Sequence, residues 1–176
     1  MLTSYKPDEI DLANRLAPPS SNHLLGTDKL GRDVYTRLLY GSRISIIVGI
    51  SGAAGGGLIG IILGCLGGYI GGRFDRILLR ISEVFMTFPS LILVLILIVF
   101  LGKGLFNLIF IFSITGWMGM YRIVRSRFLS LREESFVEAL RAFGISKLSI
   151  IFRHILPNTT GPIIVSITLS MPGYIL

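Results

Sequence analysis

The charged residues of this chain separate its apolar ones into long blocks. Between Arg43 and Arg73 lie 29 residues without a charge, between Glu83 and Lys103 lie 19, and between Lys103 and Arg122 lie 18. After His154 no formal charge appears. A helix that crosses a bilayer takes about 20 mainly apolar residues. The pattern therefore predicts four spans, at about residues 44–70, 76–101, 105–121 and 158–176, the last one incomplete. In lipid the backbone must satisfy its own hydrogen bonds, which makes each block a helix. The expected fold is an all-α integral membrane protein.

Local signals place the breaks. Gly26 and Gly31 mark turns in the segment before the first span, and Asp28 and Asp33 are candidate caps for a helix beginning at Val34. The run "GGRFD" is a short turn, after which the second span starts amphipathically near Arg76. Pro89 falls inside that span and leaves the Phe85 carbonyl without its usual donor, so a kink is expected there. "GKG" at 102–104 makes a tight turn, and Trp117 and Tyr121 sit near the far end of the third span, where aromatic rings favour the interface. Residues 122–157 then form a basic loop patterned as two short helices. The first covers about Glu133 to Phe143, with Gly144 as its stop. The second runs from a cap at Ser146 to about His154, and Pro157 ends it. Pro162 and Pro172 fall within the last span.

Within the first block, Gly52, Gly56, Gly60, Gly64, Gly68 and Gly72 recur every four residues. Glycine costs roughly 1 kcal/mol against alanine in a soluble helix. In a membrane the same residues let helices approach closely. A spacing of four drifts about 40° per step around a helix of 3.6 residues per turn. The stripe therefore calls for more than one close neighbour, or for a right-handed crossing that follows it. Static packing and a surface for sliding are both open readings of these helix-packing glycines.

The composition agrees with a membrane protein: 176 residues, 52% hydrophobic, mean hydropathy +0.74. The net charge of +7 is explained by membrane orientation rather than by nucleic acid. Three Lys/Arg fall between Arg73 and Glu83 and seven between Arg122 and His154, on one side of the membrane. By the positive-inside rule that side is cytoplasmic. Residues 1–43 then lie on the outer side, and their six Lys/Arg make the preference modest. No secretory leader precedes them, so an upstream helix is expected to be missing, and the chain is expected to be incomplete at both ends. Cys65 stands alone and forms no intrachain disulfide.

No catalytic constellation appears. The only "GK", Gly102-Lys103, lacks the upstream glycine and the following Ser/Thr of a phosphate loop. His23 and His154 fall on opposite sides, so no shared metal site is expected. The spans carry essentially no ionisable side chain, unlike ion-driven pumps.

The most informative stretch is "LREESFVEALRAFGISKLSIIFRHILPN", residues 131–158. A helix–Gly–helix of this kind presents a rigid knob to a partner, or is an ordinary solvated loop. It resembles the conserved cytoplasmic loop of bacterial ABC importer permeases: Glu-Ala-Ala, three residues, Gly, and further on a Leu-Pro ending. Glu138, Ala139, Gly144, Leu156 and Pro157 match, while Leu140 replaces the second alanine. "HLLGTDKLGRDVYTRLLYGSRIS" and "GGYIGGRFDRILLRISEVFMTFPSLIL" are similar to segments of the dipeptide/oligopeptide/nickel branch. The resemblance implies a type I importer permease (MetI-like) helix bundle in the bacterial inner membrane. It implies an outer-side segment 1–43 and a transmembrane permease domain 44–176 with a coupling loop at 122–157. Its partners would be ATPase subunits, a second permease subunit, an extracytoplasmic substrate-binding protein and the lipid. It implies no cofactor on the chain itself, with ATP and Mg used by the ATPase. Glu138, Ala139, Leu140, Arg141, Gly144, Leu156 and Pro157 would form the coupling element, with Arg141 facing acids of the ATPase or solvent. Ile150 and Ile151 would pack beneath it. The expected cargo is a di- or oligopeptide, with nickel or a nickel chelate as the alternative. A passive channel or a structural membrane protein is the reading from another class, and it has no need of a docking knob.

Overall fold

The computed structural model describes residues 3–175. They fall into two compact units that divide between Ile47 and Val48. The long helix α1, Val34–Ile70, runs through the division.

In the first unit, the chain before α1 is irregular apart from the 3-10 turn Leu12–Asn14 and a single bridge between Thr27 and Asp33, and polar side chains tie it down. Asp33 caps α1: its Oδ2 accepts the Thr36 amide at 2.7 Å, and its Oδ1 lies 3.0 Å from Nδ1 of His23. The His23 ring stacks on Tyr5, with centroids 4.9 Å apart. Asp28 accepts the amides of Leu30 and Arg32 and pairs with the guanidinium groups of Arg32 and Arg37. Removal from water pushes the Asp28 carboxyl up, but the two amides and the Arg32 guanidinium pull it further down, to about 2. Gly31, at φ +74°, is required: a methyl group there would run into the Asp11 carbonyl.

The second unit is all helical. After α1 come α2, Gly72–Met86, α3, Ser90–Leu101, and α4, Leu105–Leu131. Then follow α5, Ser135–Ala142, α6, Lys147–Ser149, α7, Thr160–Ser170, and α8, Pro172–Ile175. Two helices, α1 and α4, are long and apolar enough to cross a membrane, and α2 with α3 makes a third if that bent pair is one span.

Three features, and the last glycine of the stripe, differ from the sequence reading. The second block is bent far more sharply than a kink: its two helices, α2 and α3, meet at 92°. Pro89 supplies no donor, the Phe85 carbonyl is taken up by the Phe88 amide at 3.3 Å, and the Thr87 hydroxyl folds back on Val84. The composition changes at the same place. Arg73, Arg76, Arg80 and Glu83 give α2 a polar face, whereas α3 is apolar throughout after Ser90.

The third block does not end at Tyr121. The helix α4 continues ten residues to Leu131, because Tyr121, Val124 and Phe128 form a fully buried row on one face. Tyr121 is accordingly a core residue rather than an interfacial one, with Trp117 edge-on to it at 5.7 Å.

Pro157 does not end the second loop helix. A π-helical turn over Ile150–Ile155 shifts the register, so that the Leu156 amide bonds to the Ile151 carbonyl. The 3-10 turn Leu156–Thr159 then carries Pro157 in its first positions. Asn158 covers the His154 carbonyl at 2.6 Å, and the chain stays helical into α7. That helix, 11 residues long, measures about 16 Å, short of a bilayer.

Of the two arrangements open to the glycine stripe, the structure has the crossing that follows it: Gly52 to Gly68 face a single neighbour. A methyl group on Gly52 would meet the Cβ of Phe112, on Gly56 the backbone of Gly116, and on Gly60 the Cβ of Met120. On Gly64 it would meet the Cβ of Val124, and on Gly68 that of Phe128. Both rows advance by four and in the same direction, so α1 and α4 run parallel. A four-residue repeat exceeds the natural 3.6 and makes the pair wind right-handedly. Gly72 leaves the row. With Gly71 it forms the turn into α2, at φ +69° and +68°, and nothing lies within 4 Å of its methyl position.

Candidate functional site

The segment from α5 to the π turn is built on a buried base. Val137, Ile150, Ile151 and Ile155 pack with Tyr69, Val124 and Phe128 in one apolar cluster, and Leu140 and Leu156 lie against it. The larger side chain at position 140 thus points into the core. On the other side of α5, Glu138, Ala139 and Phe143 are exposed.

Gly144 makes the corner. At φ +74° it closes α5 with two bonds: its amide to the Arg141 carbonyl at 3.0 Å, and the Ile145 amide to the Leu140 carbonyl at 3.1 Å. This paired termination needs a left-handed residue, which glycine supplies without strain. No atom lies within 4 Å of its methyl position, so the requirement is conformational and not spatial. Ser146 then caps α6, its Oγ accepting the Ser149 amide at 3.4 Å. The corner leaves Phe143 at 82% and Leu148 at 63% exposure. An aromatic and a leucine this open, on a buried and hydrogen-bonded base, form a rigid apolar tip.

Arg141 does not project from the tip. Its guanidinium lies over the Tyr69 ring, 5.4 Å from the centroid, and donates to the Arg132 carbonyl at 3.2 Å. Arg132 in turn reaches the Gly68 carbonyl at 3.4 Å. These contacts fasten α5 to the ends of α1 and α4 and surround a hollow of about 410 Å³ lined by Tyr69, Ile70, Arg141, Ile145, Lys147 and Ile150. Pro157 is exposed beyond the base. Pro89 and the stripe glycines lie outside the segment.

Sequence reasoning missed a second polar group. Asp75, at the start of α2, is buried and paired with Arg125 of α4 through both carboxylate oxygens. The Tyr121 hydroxyl donates to the same carboxylate at 3.0 Å. The available signal was slight: one acid among the arginines of α2, and a Tyr and an Arg four apart on α4. Its pairing across 50 positions has no local mark.

A larger cavity, about 670 Å³, opens between the α2–α3 elbow, α4 and α8, with Phe85, Phe88, Leu91, Phe112 and Tyr174 among its walls. Among the described residues no three His, Cys, Asp or Glu side chains converge as a metal site.

The family model described as "Binding-protein-dependent transport system inner membrane component" matches residues 56–176. The oligopeptide transport system permease protein OppC of Bacillus subtilis is 42% identical over 98% of this chain and 56% of its own length. The dipeptide transport system permease protein DppC of the same organism is 46% identical over 93% of this chain and 51% of its own. The probable D,D-dipeptide transport system permease protein DdpC of Escherichia coli is 41% identical over 99% of this chain and 59% of its own. The chain spans about half the length of these curated relatives. With a family match over more than half of its residues, the chain belongs to the binding-protein-dependent transport system inner membrane components.

Proposed function

We propose that this chain is part of the membrane-spanning permease subunit of an ATP-driven peptide importer, and that the tip around Gly144 docks on a separate ATPase subunit. The observation that carries the reading is the exposed Phe143–Gly144–Leu148 tip on its buried base. A solvated loop would not hold two large apolar side chains in water on a rigid support. The names of the relatives favour a peptide over nickel as cargo. The chain itself is not catalytic in this reading. ATP and Mg are used by the ATPase, whose closure draws the tips of two permease subunits together and rocks the helices. A binding protein on the outer side delivers the peptide, and the tip faces the cytoplasm, where the basic segments lie.

The test is co-purification of the ATPase with the full-length permease. Phe143→Ala removes the apolar anchor and is expected to cost about 2 kcal/mol, roughly thirtyfold in affinity. Gly144→Pro alters the corner itself and is expected to release the ATPase. Equal recovery of the ATPase with both variants and the unaltered protein would refute the docking role.

A further inference from the structure

We propose that Asp75 and Arg125 form the pivot through which movement of the docking tip reaches the α2–α3 elbow and the 670 Å³ cavity beside it. The inference rests on the docking reading above.

The tip is not free to move alone. Val137 of α5 shares a buried cluster with Tyr69 at the end of α1 and with Val124 and Phe128 of α4. Arg141 adds the Tyr69 ring and the Arg132 carbonyl. The tip, the end of α1 and the inner half of α4 are one packed block. In contrast, α2 has few ties to that block: Asp75 near its start, a partly buried strip at Leu78, Leu79 and Ser82, and a weak contact at its far end, where the Arg122 guanidinium donates to the Met86 sulfur at 3.4 Å. Its buried residues are Asp75 and Ser82, and the Ser82 hydroxyl bonds within its own helix, to the Leu79 carbonyl. Ile77, Ile81, Val84 and Phe85 are all exposed. The charged and buried tie is therefore the carboxylate of Asp75, held by Nε and Nη2 of Arg125 and by the Tyr121 hydroxyl. Gly67 of α1 lies against the same group: a methyl group there would come within 3.0 Å of the Asp75 carboxylate.

At its far end α2 reaches the cavity. Phe85 and Met86 line it, and so do Phe88 and Leu91 across the elbow. The lever from Asp75 to Phe85 is ten residues, about 15 Å. A two-pronged guanidinium–carboxylate pair fixes direction as well as distance. A small rotation of the block at Arg125 then swings the elbow, and with it the cavity wall. Asp75 and Arg125 are positioning residues in this scheme, since neither lines the cavity.

The test uses the full-length permease with its partner subunits in lipid nanodiscs. Spin labels are placed at Ile81→Cys on α2 and Ile114→Cys on α4, both exposed, while the native Cys65 is buried. Trapping with ATP and vanadate is expected to shift the label distance. Asp75→Asn is expected to cut that shift to less than half while the ATPase still co-purifies. The reversed pair Asp75→Arg with Arg125→Asp is expected to restore it, which loss of folding in the single variant could not mimic. An undiminished shift in Asp75→Asn with the ATPase retained overturns this inference alone. So does a reversed pair that restores nothing, or an unaltered protein whose labels do not move. An unaltered protein that fails to retain the ATPase overturns the docking reading and this inference with it.

Discussion

Gly60 and Gly119 are both helical glycines, and they are not equivalent. A methyl group on Gly60 would stand 2.6 Å from the Met120 Cβ and from the Trp117 carbonyl oxygen, whereas nothing lies within 4 Å at Gly119. Backbone cannot give way as a side-chain tip can. Gly60→Ala is expected to cost about 1–3 kcal/mol, as overpacking does, and Gly119→Ala to cost nothing. Thermal unfolding of the purified protein in detergent compares them. The Asp28 carboxylate makes a second residue-scale prediction. The unfolded value of an aspartate is about 3.9, and the folded value is about 2. A depressed carboxyl stabilises the fold above the unfolded value and loses that contribution as pH falls through the folded one. The amide resonances of Leu30 and Arg32, which donate to it, are expected to titrate near pH 2 and not near pH 4. Asp28→Asn should remove the titration.

Elements were legible in the sequence where their signals are local. The start of α1 follows from the Asp33 cap, the corner at Gly144 from its need for a left-handed residue, and the break near Pro89 from a missing donor. The angle at that break was not legible, because it depends on α2 and α3 having different surroundings. Nor was the length of α4, since the buried row Tyr121–Val124–Phe128 matters only once α1 lies against it. The π turn is similar. Proline predicts a stop, but a one-residue change of register and the Asn158 side chain absorb it. The residues proposed for docking were readable as a pattern, while the base beneath them, the inward direction of Leu140 and the folding of Arg141 over Tyr69 came from long-range packing. At this scale Pro89→Ala tests the elbow. Alanine restores a donor for the Phe85 carbonyl, so the helix pair should straighten. A longer distance between spin labels at Ile81 and Val99 is the expected outcome.

For the molecule as a whole, the orientation of the second unit is open to direct test. In the proposed topology Leu148→Cys reacts with a membrane-impermeant maleimide only from the cytoplasmic side, and Lys103→Cys only from the outside. Labelling of both from one side would overturn it. The two parallel rows on α1 and α4 carry a further consequence. They engage as the threads of a screw and nut do. Sliding one helix along the other without rotation would drive the Cβ atoms of Met120, Val124 and Phe128 over the glycine backbone. Movement along the thread would have to proceed by whole teeth, four residues or about 6 Å at a time. Such steps would tear the buried cluster beneath the tip. The helices α1 and α4 therefore travel as a single threaded rod, and any change of shape in this unit must be made at the unthreaded joints, at the α2–α3 elbow and along α7.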